Sequence, residues 1–66
     1  MKTTHFAENL KTLRIEKGLS QTELANLLGV DQRTISNWEN KICEPSFEML
    51  GKLCDVFDES LENILT

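Results

Sequence analysis

Histidine occurs once in this chain and cysteine twice, and that scarcity already removes several kinds of chemistry. His5 stands alone, and Cys43 and Cys54 lie eleven positions apart with no CxxC spacing. No zinc ligand set follows from these residues. No Ser/His/Asp set, paired carboxylates in a plausible pocket or phosphate loop is present either, so the chain does not read as an enzyme and implies no cofactor. No apolar run approaches the ~20 residues of a membrane span. The opening MKTTHF has no apolar h-region, so no secretory leader is expected. The expected location is therefore cytoplasmic, where the two thiols stay reduced. Strict apolar–polar alternation is missing, which leaves no strand signal. Repeats, low-complexity tracts and long linkers are missing too. Sixty-six residues thus read as one domain, 1–66. A chain of this size buries only about 60% of its unfolded surface, which leaves little room for a catalytic cleft beside the core.

The net charge is −4, at first sight a poor match for a nucleic acid, but its distribution is uneven. Residues 1–43 carry Lys2, Lys11, Arg14, Lys17, Arg33 and Lys41 against Glu8, Glu16, Glu23, Asp31 and Glu39, a balance of +1. Residues 44–66 carry Lys52 against Glu44, Glu48, Asp55, Asp58, Glu59 and Glu62, a balance of −5. The acidity belongs to the C-terminal third, and the first two-thirds remain free to approach a phosphate backbone.

Helical periodicity runs through nearly the whole chain. Phe6, Leu10 and Leu13 share one face of a first helix, which Gly18 stops and Lys17 favours in its last turn. Leu19 then points inward. Ser20-Gln21-Thr22-Glu23 is a capping box that opens a second helix with Leu24, Ala25 and Leu28 inside. Gly29 ends it after about two turns, and Asp31 caps a third helix over residues 32–40, with Ile35 and Trp38 inward. A lone inward tryptophan reads as core rather than as a stacking platform for single strands. Pro45 breaks the chain and Ser46 caps a fourth helix with Leu50, Leu53, Cys54 and Phe57 on its apolar stripe. Ser60 caps a short fifth helix containing Leu61, Ile64 and Leu65. The fold class expected is all-α: a five-helix domain containing a helix-turn-helix at about 20–40.

The second and third helices, joined by three residues with a small Ala25 at their contact and a glycine at the turn, form that helix-turn-helix. Such a pair lets the third helix stand steeply on the second and project its N-terminal half. A major groove about 12 Å wide accepts a helix of this kind. The outer side of the third helix carries Gln32, Arg33, Ser36 and Asn37, almost wholly hydrogen-bonding groups with one fixed positive charge. Taken without the motif, these residues would read as a solvated face.

Residues 6–65 resemble the Cro/C1-type (XRE) helix-turn-helix family of phage repressors. The segment LSQTELANLLGVDQRTISNWEN, with LKTLRIEKG before it and a proline and two helices after it, carries the resemblance. What it implies is a sequence-specific regulator of transcription, expected to act as a repressor on a palindromic double-stranded operator as a homodimer. By the same resemblance, Gln21 clamps a phosphate, and its N–H at a helix N-terminus suits an oxyanion. Gln32 and Arg33 touch bases, matching adenine N6/N7 and guanine O6/N7, and Asn37 is a third base reader. Thr34 and Ser36 reach phosphate or base edge, and Asn40 and Lys41 meet the backbone just past the helix. Arg14 and Glu39 correspond to the ion pair that ties the first helix to the end of the third. Many relatives follow the asparagine with glycine, where this chain has Lys41, and Glu44 falls near the expected phosphate track.

Two other readings compete. A protein-interaction module of the same fold, such as an antitoxin or anti-repressor component, would use the acidic residues 44–66 against a basic partner. It would have no need for Gln32, Arg33, Asn37 and Asn40 along one docking surface. An enzyme is rejected for want of any catalytic set, and no small-molecule ligand site is evident. A dimer surface is expected on the fifth helix, because Leu61, Ile64 and Leu65 are too many for one small core.

Overall fold

The computed structural model describes residues 5–66, so Lys2 and most of the stretch read for a leader lie outside the described residues. Five helices follow one another: α1 (Phe6–Glu16), α2 (Gln21–Leu28), α3 (Gln32–Glu39), α4 (Phe47–Phe57) and α5 (Leu61–Leu65). Residues 32–40 were expected to be helical throughout, but α3 closes one residue earlier, with Asn40 as its cap at φ −97°. Asn40 has left helical geometry to begin the turn.

Every start but the first is held by a side chain. Ser20 Oγ accepts from the Glu23 N–H at 3.0 Å while Glu23 Oε1 accepts from the Ser20 N–H at 2.8 Å, a complete capping box. Asp31, Ser46 and Ser60 cap α3, α4 and α5 through the N–H groups of Arg33, Met49 and Asn63. The ends share a second device. After α1, Gly18 donates to the Ile15 carbonyl and Leu19 to that of Arg14, the paired bonds of a Schellman turn. The same pair recurs after α2 through Gly29 and Val30, and after α3 through Lys41 and Ile42. The pivotal residue is left-handed each time, at φ +75° for Gly18 and Gly29 and +64° for Lys41. Asp58 takes that conformation after α4, at φ +53°.

The apolar faces meet in one core. Phe6 and Leu10 of α1, Leu24, Ala25 and Leu28 of α2, Ile35 and Trp38 of α3, Leu50, Leu53 and Phe57 of α4, and Ile64 of α5 are all buried. Truncating a fully buried leucine such as Leu24 or Leu50 should cost about 2–5 kcal/mol. Ala25 is buried in α2, the helix that packs against α3. α1 packs on α3 and α5, and α4 on α2 and α5. The Asn9 side-chain amide donates to the Ile64 carbonyl at 2.9 Å and locks α1 to the end of α5. Leu61 and Leu65, each partly exposed, pack against the core beside buried Ile64. Among the described residues, the exposed large hydrophobic side chains are Ile15, Leu27, Ile42 and Phe47.

Candidate nucleic-acid interface

The core fixes which side of α3 is free. With Ile35 and Trp38 buried, the 3.6-residue period turns Gln32, Arg33, Ser36, Asn37 and Asn40 to the opposite side. Gln32, Arg33 and Asn40 are exposed, and Ser36 and Asn37 are half-buried. Thr34 sits on the flank away from Gln32, also half-buried. The sequence-derived candidates on α3 therefore come together on one surface, with Thr34 at its edge. Asn40 donates through Nδ2 to Ser36 Oγ at 3.2 Å, which steadies the last turn.

Behind this surface lies a relay of hydrogen bonds that sets the stance of α3. Arg14 on α1 grips Glu39 with two bonds, Nε to Oε2 at 2.7 Å and Nη2 to Oε1 at 3.2 Å. Its remaining arm donates to the Leu19 carbonyl at 2.8 Å, so one guanidinium joins α1, the α1–α2 turn and the end of α3. The two side chains are 11% and 4% exposed, which makes this a buried bidentate pair rather than a loose surface contact. Gln21, the first residue of α2, donates to Glu39 Oε1 at 3.1 Å and accepts from Gln32 Nε2 at 2.6 Å. The chain Arg14–Glu39–Gln21–Gln32 thus runs from α1 to the first exposed residue of α3. Sequence patterning supplied each of these residues separately but gave no sign that Gln21 links Glu39 to Gln32.

Charge on this surface is uneven. Arg33 is exposed and has no ion-pair partner among the described residues. Lys41 meets Glu8 Oε2 across 3.2 Å, with both side chains more than half exposed. Glu8 is held below the ordinary carboxylate range first by a backbone hydrogen bond and then by the Lys41 contact. Lys41 occupies a left-handed position, so the turn keeps its path at the cost of a strained lysine. Beside it, Phe6, Ala7, Trp38, Cys43 and Glu44 help line a groove of about 190 Å³. That is below the roughly 300–1,000 Å³ of small-molecule sites. Both cysteines are free thiols, and burial pushes the Cys54 thiol up.

A family model described as helix-turn-helix matches residues 10–64. A putative HTH-type transcriptional regulatory protein of Pyrococcus horikoshii is 41% identical over 54 residues. That match covers 82% of this chain but only 17% of the archaeal protein. Antitoxin HipB of Escherichia coli strain K12 is 37% identical over 71 residues, covering 91% of this chain and 80% of HipB. Among solved structures, the biofilm master regulator SinR in complex with DNA superposes with a TM-score of 0.84 at 34% identity. It covers 92% of this chain and 98% of that one. The fold, the turn between α2 and α3 and the matched span agree: the chain belongs to the XRE-type helix-turn-helix family.

Proposed function

We propose that this chain is the sequence-specific DNA-binding module of a transcriptional regulator acting as a repressor, with α3 as recognition helix in the major groove. The observation that carries the reading is the outer face of α3, where Gln32, Arg33 and Asn37 stand clear of the core while Arg14, Glu39 and Gln21 brace the helix from behind. Gln32, Arg33 and Asn37 read base edges, and each good bidentate contact contributes about 1–3 kcal/mol of discrimination. Gln21, Thr34, Ser36, Asn40 and Lys41 hold the phosphate backbone. On contact, Lys41 exchanges Glu8 for a phosphate and Gln21 offers its N–H to another. Two copies bind a palindromic operator with half-sites about 34 Å apart. The likeness to SinR, solved in complex with DNA, supports DNA binding by this fold. The module has no enzymatic role and works in the cytoplasm; among the described residues no helix is long and apolar enough to cross a membrane.

A second reading draws on the likeness to antitoxin HipB and on the −5 balance of residues 44–66. In it the acidic third docks a basic protein while α3 still reads DNA. Selection from a random duplex pool, followed by titration of the selected site with wild type and Arg33→Ala at several salt concentrations, tests the main reading. A two-fold symmetric site and a loss of about 1–3 kcal/mol confined to one base position are expected for Arg33→Ala. No enriched site, with weak binding indifferent to Arg33, would sink it.

A further inference from the structure

The hydrogen bonds behind α3 have a direction, and that direction starts at Glu39. A carboxylate paired with a guanidinium only accepts, and Glu39 meets Arg14 through both oxygens, at 2.7 and 3.2 Å. The Gln21 atom 3.1 Å from Glu39 Oε1 is therefore the amide nitrogen, since a carbonyl there would set two acceptors against each other. Gln21 Oε1 is thereby turned toward α3, and the Gln32 atom 2.6 Å from it is in turn a donor, Nε2. One N–H of Gln32 points inward, and its Oε1 and second N–H are left to the exposed side. An unheld carboxamide turns over readily, because its terminal torsion has two nearly equivalent positions. The order of donor and acceptor on the outer edge of Gln32 is thus set by a carboxylate two hydrogen bonds away.

We propose that Glu39 is a positioning residue for sequence readout: through Gln21 it fixes which end of the Gln32 amide meets which atom of a base. The role deepens the DNA reading proposed above and rests on it. Adenine presents N7 as acceptor beside N6–H as donor in the major groove. An amide in the matching order makes two bonds there, and the same amide turned over sets carbonyl against N7 and NH2 against N6–H. Bracing α3 needs only Arg14 and Glu39. It gives no reason for Gln21 to bond Glu39 on one side and Gln32 on the other.

Two substitutions move the carboxylate without removing the relay. In Glu39→Gln the new amide gives its oxygen to Arg14 Nε, the shortest of the contacts at 2.7 Å. Its NH2 then takes the place of Oε1 and faces Gln21. Gln21 turns its carbonyl to that donor, its own NH2 faces Gln32, and Gln32 answers with Oε1. The amide order on the DNA side is reversed. Adding Gln21→Glu restores it, because a carboxylate at position 21 accepts from the new amide and from Gln32 Nε2 alike. The double substitution also leaves the net charge unchanged.

Long-range HNCO spectra of the isotope-labelled chain without DNA read the direction, since coupling across a hydrogen bond links donor nitrogen to acceptor carbon. Wild type is expected to couple Gln32 Nε2 to Gln21 Cδ, and Glu39→Gln to couple Gln21 Nε2 to Gln32 Cδ. The double variant couples Gln32 Nε2 to the carboxylate carbon at position 21. Selection from a random duplex pool then reads the consequence at the position that Gln32→Ala relaxes. Adenine there should lose about tenfold or more of its preference in Glu39→Gln and regain it in the double variant, whatever the overall affinity. Gln21→Ala, which leaves the Arg14–Glu39 pair in place, should lose the same preference with the fold intact. Reversed or absent coupling in wild type, or an adenine preference that survives Gln21→Ala, overturns the proposal. So does a preference in the folded Glu39 variants that fails to follow the coupling. Failure of the DNA-reading proposal shows separately, as the expected couplings with no duplex enriched.

Discussion

Replacing Arg14 by methionine removes three donors from one partly buried point and leaves Glu39 with Gln21 as its sole remaining side-chain donor. The Leu19 carbonyl loses its guanidinium partner in the same step. Stranding one member of a buried pair costs about 3–5 kcal/mol. A domain of this size, at roughly 0.05–0.15 kcal/mol per residue, holds only about 3–10 kcal/mol in total. Arg14→Met should therefore remove from about a third to all of the stability at 25 °C. Glu39→Gln is milder, since the amide keeps one oxygen for Arg14, and should cost about 1.5–3 kcal/mol. Combining the two should cost less than their sum, with a coupling of about 1–3 kcal/mol. Urea titration followed by fluorescence reads this directly, because the only tryptophan, Trp38, is buried next to Glu39. If Arg14→Met costs under about 1 kcal/mol, the value of an exposed pair, the bracing of α3 by this relay is refuted.

Ser20→Ala should destabilise the fold by about 1 kcal/mol through loss of the α2 cap. Glu23 is held below its ordinary value of 4.5, first by the Ser20 backbone N–H and then by the Ser20 side chain. Its contribution is thus present above about pH 4.5 and lost as pH falls through the lower folded value, so thermal melts of wild type and Glu23→Gln should converge in acid. Asp58→Gly should raise stability by roughly 1 kcal/mol, since it relieves a left-handed aspartate and removes an anion from the C-terminus of α4; an unchanged melting temperature would count against that. Lys41→Gln should lower the slope of log affinity against log salt by about 0.9, the signature of one lost phosphate contact, and an unchanged slope would remove Lys41 from the proposed DNA surface.

Most of the fold was legible in the order of residues, because its determinants are local. Ser20 with Glu23, Asp31, Ser46 and Ser60 mark helix starts through bonds spanning two or three residues, and Gly18 and Gly29 mark ends through left-handed turns. The spacing of Ile35 and Trp38 likewise settles which side of α3 faces out. Helix ends without glycine were harder to read, since Lys41 and Asp58 adopt the same turn against their intrinsic preference. Tertiary packing decided the rest. Arg14, Gln21, Gln32 and Glu39 are spread over 26 residues of chain, and only the crossing of α1, α2 and α3 brings their polar ends within hydrogen-bond reach. Packing also decided which large apolar side chains stay exposed, namely Ile15, Leu27, Ile42 and Phe47 among the described residues. Periodicity assigns a side chain to a face of its own helix, but whether another helix covers that face depends on how all five pack.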